Sequence, residues 1–306
     1  MTTITDPPAW AVTGGTGFVG RHLCARLAAR LPGTIVRVPT RRLATEPALA
    51  PLPSVQLVHA DVSDVGRMQA VLQGTQALVH LVAVLHGDAA RFERMHVALP
   101  HALVQACRAA GVRRVVHVSA LGVAADAPSH YLRSKSAGEA VWRDSGLDVT
   151  IVRPSVIFGE DDRFTRLFAR LLALTPVLPL AGAEARFQPV WVGDVAAAIV
   201  RCLERPQTIG QIIECAGPRE MTLREVVQTV GRMSGHRRPV LGLPDTLARL
   251  QAAVLQCLPG EPLMSADNLR SMQAPNVATR QFPGLEALDI VPQPLERRTD
   301  RFGCFR

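Results

Sequence analysis

Tyr131 and Lys135 stand four residues apart in the stretch YLRSK, and they are the only tyrosine and the only lysine in 306 residues. On a helix, a spacing of four sets two side chains on one face, one turn apart. A free phenol titrates at about 10 and is a poor proton carrier at neutral pH, but a neighbouring ammonium favours the phenolate and lowers that value. Lysine does this as a compact point charge that can also hydrogen-bond a ribose, a role the planar fork of arginine does not fill. The chain otherwise writes its basic charge as arginine, so the one lysine falls where arginine would not serve. Ser119, twelve residues before the tyrosine, could hold a carbonyl oxygen while Tyr131 gives or takes a proton and a nicotinamide gives or takes hydride. The alternative is an exposed Tyr and Lys on an ordinary helix, with Ser119 a strand-end cap.

Hydride chemistry needs a dinucleotide, and TGGTGFVG at 13–20 is built to bind one. Gly14 can take the tight turn, Gly17 lets backbone approach a pyrophosphate at a helix N-terminus, and Gly20 permits close helix–strand packing. Thr16, Phe18 and Val19 complete the candidate contacts of this loop. Cofactor choice is set after the second strand, where NAD calls for an acid and NADP for a cation. The sequence there reads Val38-Pro39-Thr40-Arg41-Arg42, without an acid. Arg41 and Arg42 can offer a fork to a 2′-phosphate, at least one of the two being solvated surface, so the expected cofactor is NADP(H) rather than NAD(H). Asp61 and Val62 follow the third strand, placed for the adenine, although a helix-capping role for Asp61 stays open. His80 to Ala83 close the fourth strand, which puts Leu81, Val82 and Ala83 beside ribose and nicotinamide.

These residues need a frame. AWAVTG, TIVRV, VQLVHAD, ALVHLVA, RRVVHVSA and DVTIVRPS are near-continuous apolar runs that alternate with helical patterns. That alternation predicts a parallel sheet covered on both faces, a Rossmann-type doubly wound α/β fold over residues 1–155. The pattern changes after Ser155. A basic amphipathic helix follows, with Phe164, Leu167, Phe168, Leu171 and Leu172 on one face and Arg163, Arg166 and Arg170 on the other. Then come Pro-rich loops, VWVGDVAAAIVRCL, the strand-like IIECA, a helix opened by the capping-box pattern at Thr222 and Glu225, and one more helix from Leu247 to Leu258. Residues 156–306 therefore read as a smaller α/β lobe over the ligand edge of the sheet, with segments returning to extend it. Val156, Phe158, Arg186 and Gln188 are candidate pocket walls, and Pro154 and Val156 candidate cofactor contacts.

Composition narrows the classes. A hydrophobic content of 48% and mean hydropathy of +0.16 exclude a disordered chain. Net charge is +8 with pI near 10.1, but the arginines are scattered without a basic tail and aromatic residues make up 4%, which argues against nucleic acid. The six cysteines form no CxxC pair and read as reduced, buried small residues, with no metal site expected. MTTITDPPAW lacks the basic and apolar regions of a signal peptide, and no run reads as a membrane span, so a cytoplasmic protein is expected.

In order along the chain, TGGTGFVG, HADVSD, VHLVA, VSALG, YLRSK and RPSVIFG resemble the short-chain dehydrogenase/reductase superfamily, in its extended or atypical epimerase/dehydratase branch. The family pattern places the cofactor loop on Gly14, Gly17 and Gly20 and a catalytic Ser–Tyr–Lys set on Ser119, Tyr131 and Lys135. More narrowly, RPSVIFGEDDRF, FQPVWVGDVAAAI and PLMSADNLRSMQAPNV are similar to the nucleotide-binding accessory α-subunits of respiratory complex I and their free-standing bacterial relatives. That resemblance covers nearly the whole chain and implies NADP(H) binding, with quinone, isoprenoid or membrane-edge biology at the inner face of a membrane. One position departs: where the extended branch usually has Asn before strand five, this chain has His96, which either does a related job or is a satisfied core histidine. Two functions compete. One is an NADP(H)-dependent oxidoreductase, epimerase or dehydratase acting on a small-molecule carbonyl or alcohol. The other is a subunit that binds NADPH without turnover and docks to a protein partner or membrane edge through its Arg163–Leu172 and Leu247–Leu258 helices, unless those faces are ordinary packing. Oligomeric state is left open.

Overall fold

Six apolar runs separated by helices become the first six strands of a computed structural model that describes residues 8–30, 33–43, 48–256 and 264–296. They are β1 (Ala9–Thr13), β2 (Ile35–Thr40), β3 (Val55–His59), β4 (Thr75–His80), β5 (Arg114–Val118) and β6 (Asp148–Pro154). The helices between them are α1 (Phe18–Arg30), α2 (Val65–Leu72), α3 (Ala89–Glu93), α4 (Leu99–Ala110) and α5 (His130–Arg143). Beyond β6 come β7 (Ile157–Phe158), α6 (Arg163–Leu174), β8 (Leu178–Leu180), β9 (Arg186–Phe187), β10 (Val190–Trp191), α7 (Val192–Glu204) and β11 (Ile212–Cys215). The described chain closes with β12 (Met221–Thr222), α8 (Leu223–Met233), β13 (Val240–Gly242), α9 (Asp245–Gln256) and α10 (Ala266–Ser271).

The central sheet is a seven-stranded Rossmann-type sheet of order β11-β6-β5-β4-β1-β2-β3, and every pairing in it is parallel. Sequence order reverses between β1 and β4, which opens a crevice at their C-terminal ends, where doubly wound sheets bind ligands. One face carries α1 and α7, whose Leu23, Leu27, Val195 and Ile199 pack on Val12, Val36 and Val38. The other carries α2, α4 and α5, with Leu72, Leu103 and Trp142 on Leu78, Val115 and Ile151. Strands covered on both faces are near-continuously apolar, and β1 is buried throughout.

Two elements from the second half, β11 and α7, belong to these layers. The remainder forms a smaller packed unit of α6 and α8 with the β8–β13 pair. In α6 the basic face points outward and Phe168 and Leu172 are buried as the periodicity predicted. Thr222 and Glu225 form the expected reciprocal capping box on α8. The predicted 247–258 helix starts two residues earlier, at Asp245, and its last two positions lie outside the described residues. No helix among the described residues is long and apolar enough to cross a membrane. Cys24, Cys107, Cys202 and Cys215 are free and buried; Cys257 and Cys304 lie outside the described residues.

The run FERMHVALPHALVQACRAAG is not one regular helix. A π-turn spans Arg94–Ala98 between α3 and α4. The Leu99 N–H bonds the Arg94 carbonyl, five residues back. The cause is Pro100, which has no N–H to return to the His96 carbonyl. Gly138 of α5 fills that gap: a Cβ there would stand 2.0 Å from the His96 oxygen, so only glycine lets the two helices approach.

Candidate active site

The glycine loop follows β1 directly. Gly14 has φ of +76° and lies against the Leu81 backbone, 3.2 Å from where a Cβ would stand. Gly20 is pressed on the loop, since a Cβ would meet the Gly14 carbonyl at 2.3 Å. Gly15, which the sequence reading passed over, is equally tight because its Cβ would strike Val38 of β2 at 2.8 Å. Gly17 differs. It is exposed, and a Cβ would touch only the Gly14 oxygen, at 3.2 Å. The fold demands glycine at 15 and 20, whereas the free side of Gly17 faces outward, beside the unpaired first N–H groups of α1. That is a cradle for an anion.

Arg41 and Arg42 are exposed at the end of β2. The Asp61 carboxylate accepts from the Ser63 amide at 3.0 Å and its hydroxyl at 2.7 Å. These bonds, with Arg41 and Arg67 nearby, hold its carboxyl below the usual range. Asp61 therefore makes a turn, and the cap of α2 is Asp64, which accepts from Arg67 N at 3.0 Å. After β4, Leu81 N bonds Thr13 O at 3.0 Å. Val82 is half-buried beside it and Ala83 is exposed.

Ser119 leaves β5 buried, 6% exposed, and its hydroxyl has no hydrogen-bond partner among the described residues. Ser129 starts α5 by accepting from Leu132 N at 3.1 Å, and the helix brings Tyr131 and Lys135 to the same end of the sheet. Tyr131 packs edge-on against His96 (centroids 5.6 Å) and Phe92 (6.1 Å). Lys135 is 2% exposed, and its Nζ donates to the Val118 carbonyl at 2.8 Å. The expectation that the ammonium lowers the phenol pKa is not met. Burial dominates, pushing the Tyr131 phenol up to about 12. It brings Lys135 down to about 8, against the raising influence of Glu139. The amine is tied to a strand carbonyl, while the phenol sits among aromatic rings.

His96 is the satisfied core histidine. Its Nε2 accepts from Val84 N at 3.1 Å, so Nδ1 carries the proton and donates to Ser134 Oγ at 2.8 Å. Ser134 in turn donates to the Tyr131 carbonyl at 2.8 Å. Burial foremost, then Lys135, brings His96 down to about 3. Behind it, His80 and His117 stack at 5.3 Å against Trp142.

Pro154 O accepts from Leu121 N at 2.9 Å, and Val156 N donates to the side chain of Asn276 at 2.8 Å. Asn276 was not singled out by the sequence, yet it also accepts from Ser155 Oγ at 2.7 Å. Three candidate walls fall away. Phe158 is packed on Met221, Val226 and Leu295. The Gln188 amide is used at both ends, donating to Gly217 O at 2.7 Å and accepting from Ala278 N at 3.0 Å. Arg186 is exposed and paired with Glu220.

A glycine cradle open at Gly17, a buried hydroxyl without a partner at Ser119 and the buried amine of Lys135 on the Val118 carbonyl next to it fit a nicotinamide dinucleotide. Comparison with known proteins agrees. Residues 14–206 match the family described as NAD(P)H-binding, and the chain belongs to it, in the epimerase/dehydratase-like group with a Rossmann fold. It is similar to a mouse protein named NADH dehydrogenase [ubiquinone] 1 alpha subcomplex subunit 9, mitochondrial, at 30% identity over 94% of this chain and 78% of the relative. It is also similar to the ceramide reductase of Caulobacter vibrioides, at 31% identity over 77% of this chain and 73% of that protein. Among solved structures, a dTDP-glucose 4,6-dehydratase from Streptomyces venezuelae with NAD bound superposes with a TM-score of 0.67 at 29% identity, covering 77% of this chain and 85% of that one.

Proposed function

We propose that the chain is an NADP(H)-dependent oxidoreductase acting on an apolar, quinone- or isoprenoid-like carbonyl or the matching alcohol, or an epimerase or dehydratase that recycles its hydride. The observation that carries this reading is the orphaned Ser119 hydroxyl at the end of β5, on the same edge as Tyr131, Lys135 and the glycine cradle. The nicotinamide, when bound, supplies the hydride. Ser119 orients the carbonyl oxygen, Tyr131 holds the proton that moves to or from it, and Lys135 lends positive charge beneath. A phenol raised to about 12 is protonated at neutral pH, so Tyr131 has a proton to give in the reductive direction, as a weaker acid than a free phenol. The apolar loop after β4, with Val82 and Val84 half-buried and Leu85 61% exposed, supports an apolar substrate. The direct test is NADPH oxidation against a panel of ketones and quinones; no turnover across the panel removes the enzymatic reading.

Arg41 is assigned the 2′-phosphate. Arg41→Ala should weaken NADPH by roughly 10–100-fold, the range of a lost charge-assisted bond of about 1.5–3 kcal/mol, and leave NADH nearly unchanged. Titration of nicotinamide fluorescence measures both, and equal losses would overturn the assignment. Gly17→Ala should cost about 1–3 kcal/mol of cofactor binding by crowding the pyrophosphate. The melting temperature without cofactor should stay within a few degrees, because the added methyl meets only one backbone atom. A large loss of stability with intact binding would remove the cradle.

A second reading is favoured by the similarity to a complex I subunit along nearly the whole chain. On it, the protein binds NADPH without turnover and docks to a protein partner or membrane edge. Leu174, Leu241, Leu247 and Leu250 are exposed around the β8–β13 end, with Arg170 and Arg249 exposed beside them, and they would form that docking face. Co-purification that survives Tyr131→Phe and fails when these leucines are made polar would support it.

A further inference from the structure

One continuous stretch, residues 265–276, touches both ends of the loop that separates Ser119 from Tyr131. At the near end, the Asn276 amide donates to Leu121 O at 3.3 Å. The Pro275 carbonyl stands 3.3 Å from where a Cβ would be on Gly122, itself at φ of +78°. Ala274 then packs against the cluster of Val123, Ala127 and Leu132, which Tyr131 also joins. At the far end, Asp267 reaches the first turn of α5. One carboxylate oxygen accepts from His130 N at 2.9 Å and the other from Tyr131 N at 3.0 Å.

Helix N-termini leave their first N–H groups without intrahelical acceptors. Ser129 satisfies one of them from within the sequence, at Leu132. The two before it, those of His130 and Tyr131, are satisfied from 137 and 136 residues away. Asp267 is held for this by its place on α10, which the Ser265–Asn268 capping box closes, and by Arg270 at 3.6 Å. The carboxylate fixes two successive amides, so it fixes both the position and the rotation of the first turn that carries the phenol.

We infer that residues 265–276 are a strap that sets the Ser119–Tyr131 geometry, and that Asp267 is a positioning residue acting through the backbone of Tyr131. The inference rests on the reading of Tyr131 as the proton carrier. It adds a role for a segment remote in sequence from the cofactor loop.

Because the chain has one tyrosine, protein grown on ¹⁵N-tyrosine gives a single backbone amide signal, that of Tyr131. In Asp267→Ala its hydrogen exchange should quicken by at least about tenfold, the loss of a bond worth about 1.5–3 kcal/mol. NADPH affinity should stay within roughly twofold, since the cradle is untouched. kcat should fall by roughly 10–100-fold with KM little changed, the effect of moving a reacting group by about 1 Å. Asp267→Asn, which keeps one oxygen acceptor, should fall between, and it carries the test if the alanine variant does not fold. Exchange at Tyr131 unchanged in either folded variant overturns the clasp. Quickened exchange with unchanged kcat, in a protein that Tyr131→Phe inactivates, overturns the positioning role alone. Absence of turnover in the unmodified protein overturns the reading of Tyr131, and with it the role of the strap, while the amide signal still reports whether the clasp exists.

Discussion

Tyr131→Phe is expected to lower kcat by about 10²–10⁴-fold, the usual contribution of a positioned acid–base group. The ring should keep its contacts with Phe92 and His96, which involve the aromatic faces and not the hydroxyl. NADPH affinity and melting temperature should therefore hardly move. This separation makes the experiment decisive between the two functional readings. Lys135→Arg should fail for a different reason: Nζ occupies a fully buried site against the Val118 carbonyl, and a guanidinium is larger and does not shed its proton at a comparable pH. Unchanged turnover in Tyr131→Phe would remove Tyr131 as the proton carrier.

The second large effect is on stability in acid. His80 is brought down to about 3, by burial first and then by Lys135 and His96. His96 also lies at about 3, and His117 well below the usual histidine value, burial again leading and Lys135 second. All three are buried, and the unfolded chain would titrate them at about 6.5. These folded-state values are depressed, so between pH 6.5 and pH 3 the unfolded state binds protons that the folded state does not. The stabilisation is complete above pH 6.5 and is lost as pH falls. Each histidine contributes a slope of about 1.4 kcal/mol per pH unit, together about 4. By pH 5 the loss is about 6 kcal/mol, comparable with the whole stability of a typical domain. Urea midpoints at pH 7.5, 6.5, 5.5 and 5.0 measure it. His117→Leu should reduce the slope by about a third, whereas a flat profile would mean that the stacked imidazoles accept protons within the fold.

The frame and the cofactor loop could be read from the sequence for a local reason. Strands buried on both faces read as near-continuous apolar runs, and a glycine turn between strand and helix is specified within eight residues, 13–20. That Tyr131 and Lys135 share one helix was legible from their spacing. What escaped was set by contacts between distant segments. Asp267 and Asn276 look like ordinary polar residues in an irregular stretch until the fold carries them to α5 and β6. Gln188 could only be a candidate wall, because Ala278 and Gly217, which engage its amide, are remote in the chain. The pKa of Tyr131 was misjudged in direction, since spacing tells how close a lysine can come but not which carbonyl claims it. His96 does lie in the helical run before β5, but the π-turn that aims its carbonyl at Gly138 follows from Pro100 and close packing together.

Lys135 carries the sole side-chain amine of these 306 residues, and it is enclosed. Amine-directed cross-linkers would therefore find no lysine on the outer surface with which to report a physical partner. Carboxylate- or guanidinium-directed reagents are needed to map its neighbours. The same enclosure turns slow acylation of Lys135 into a clock for opening of the crevice. The amine of the chain terminus is the other group that acylates, so intact mass would read Lys135 as one further step beyond it.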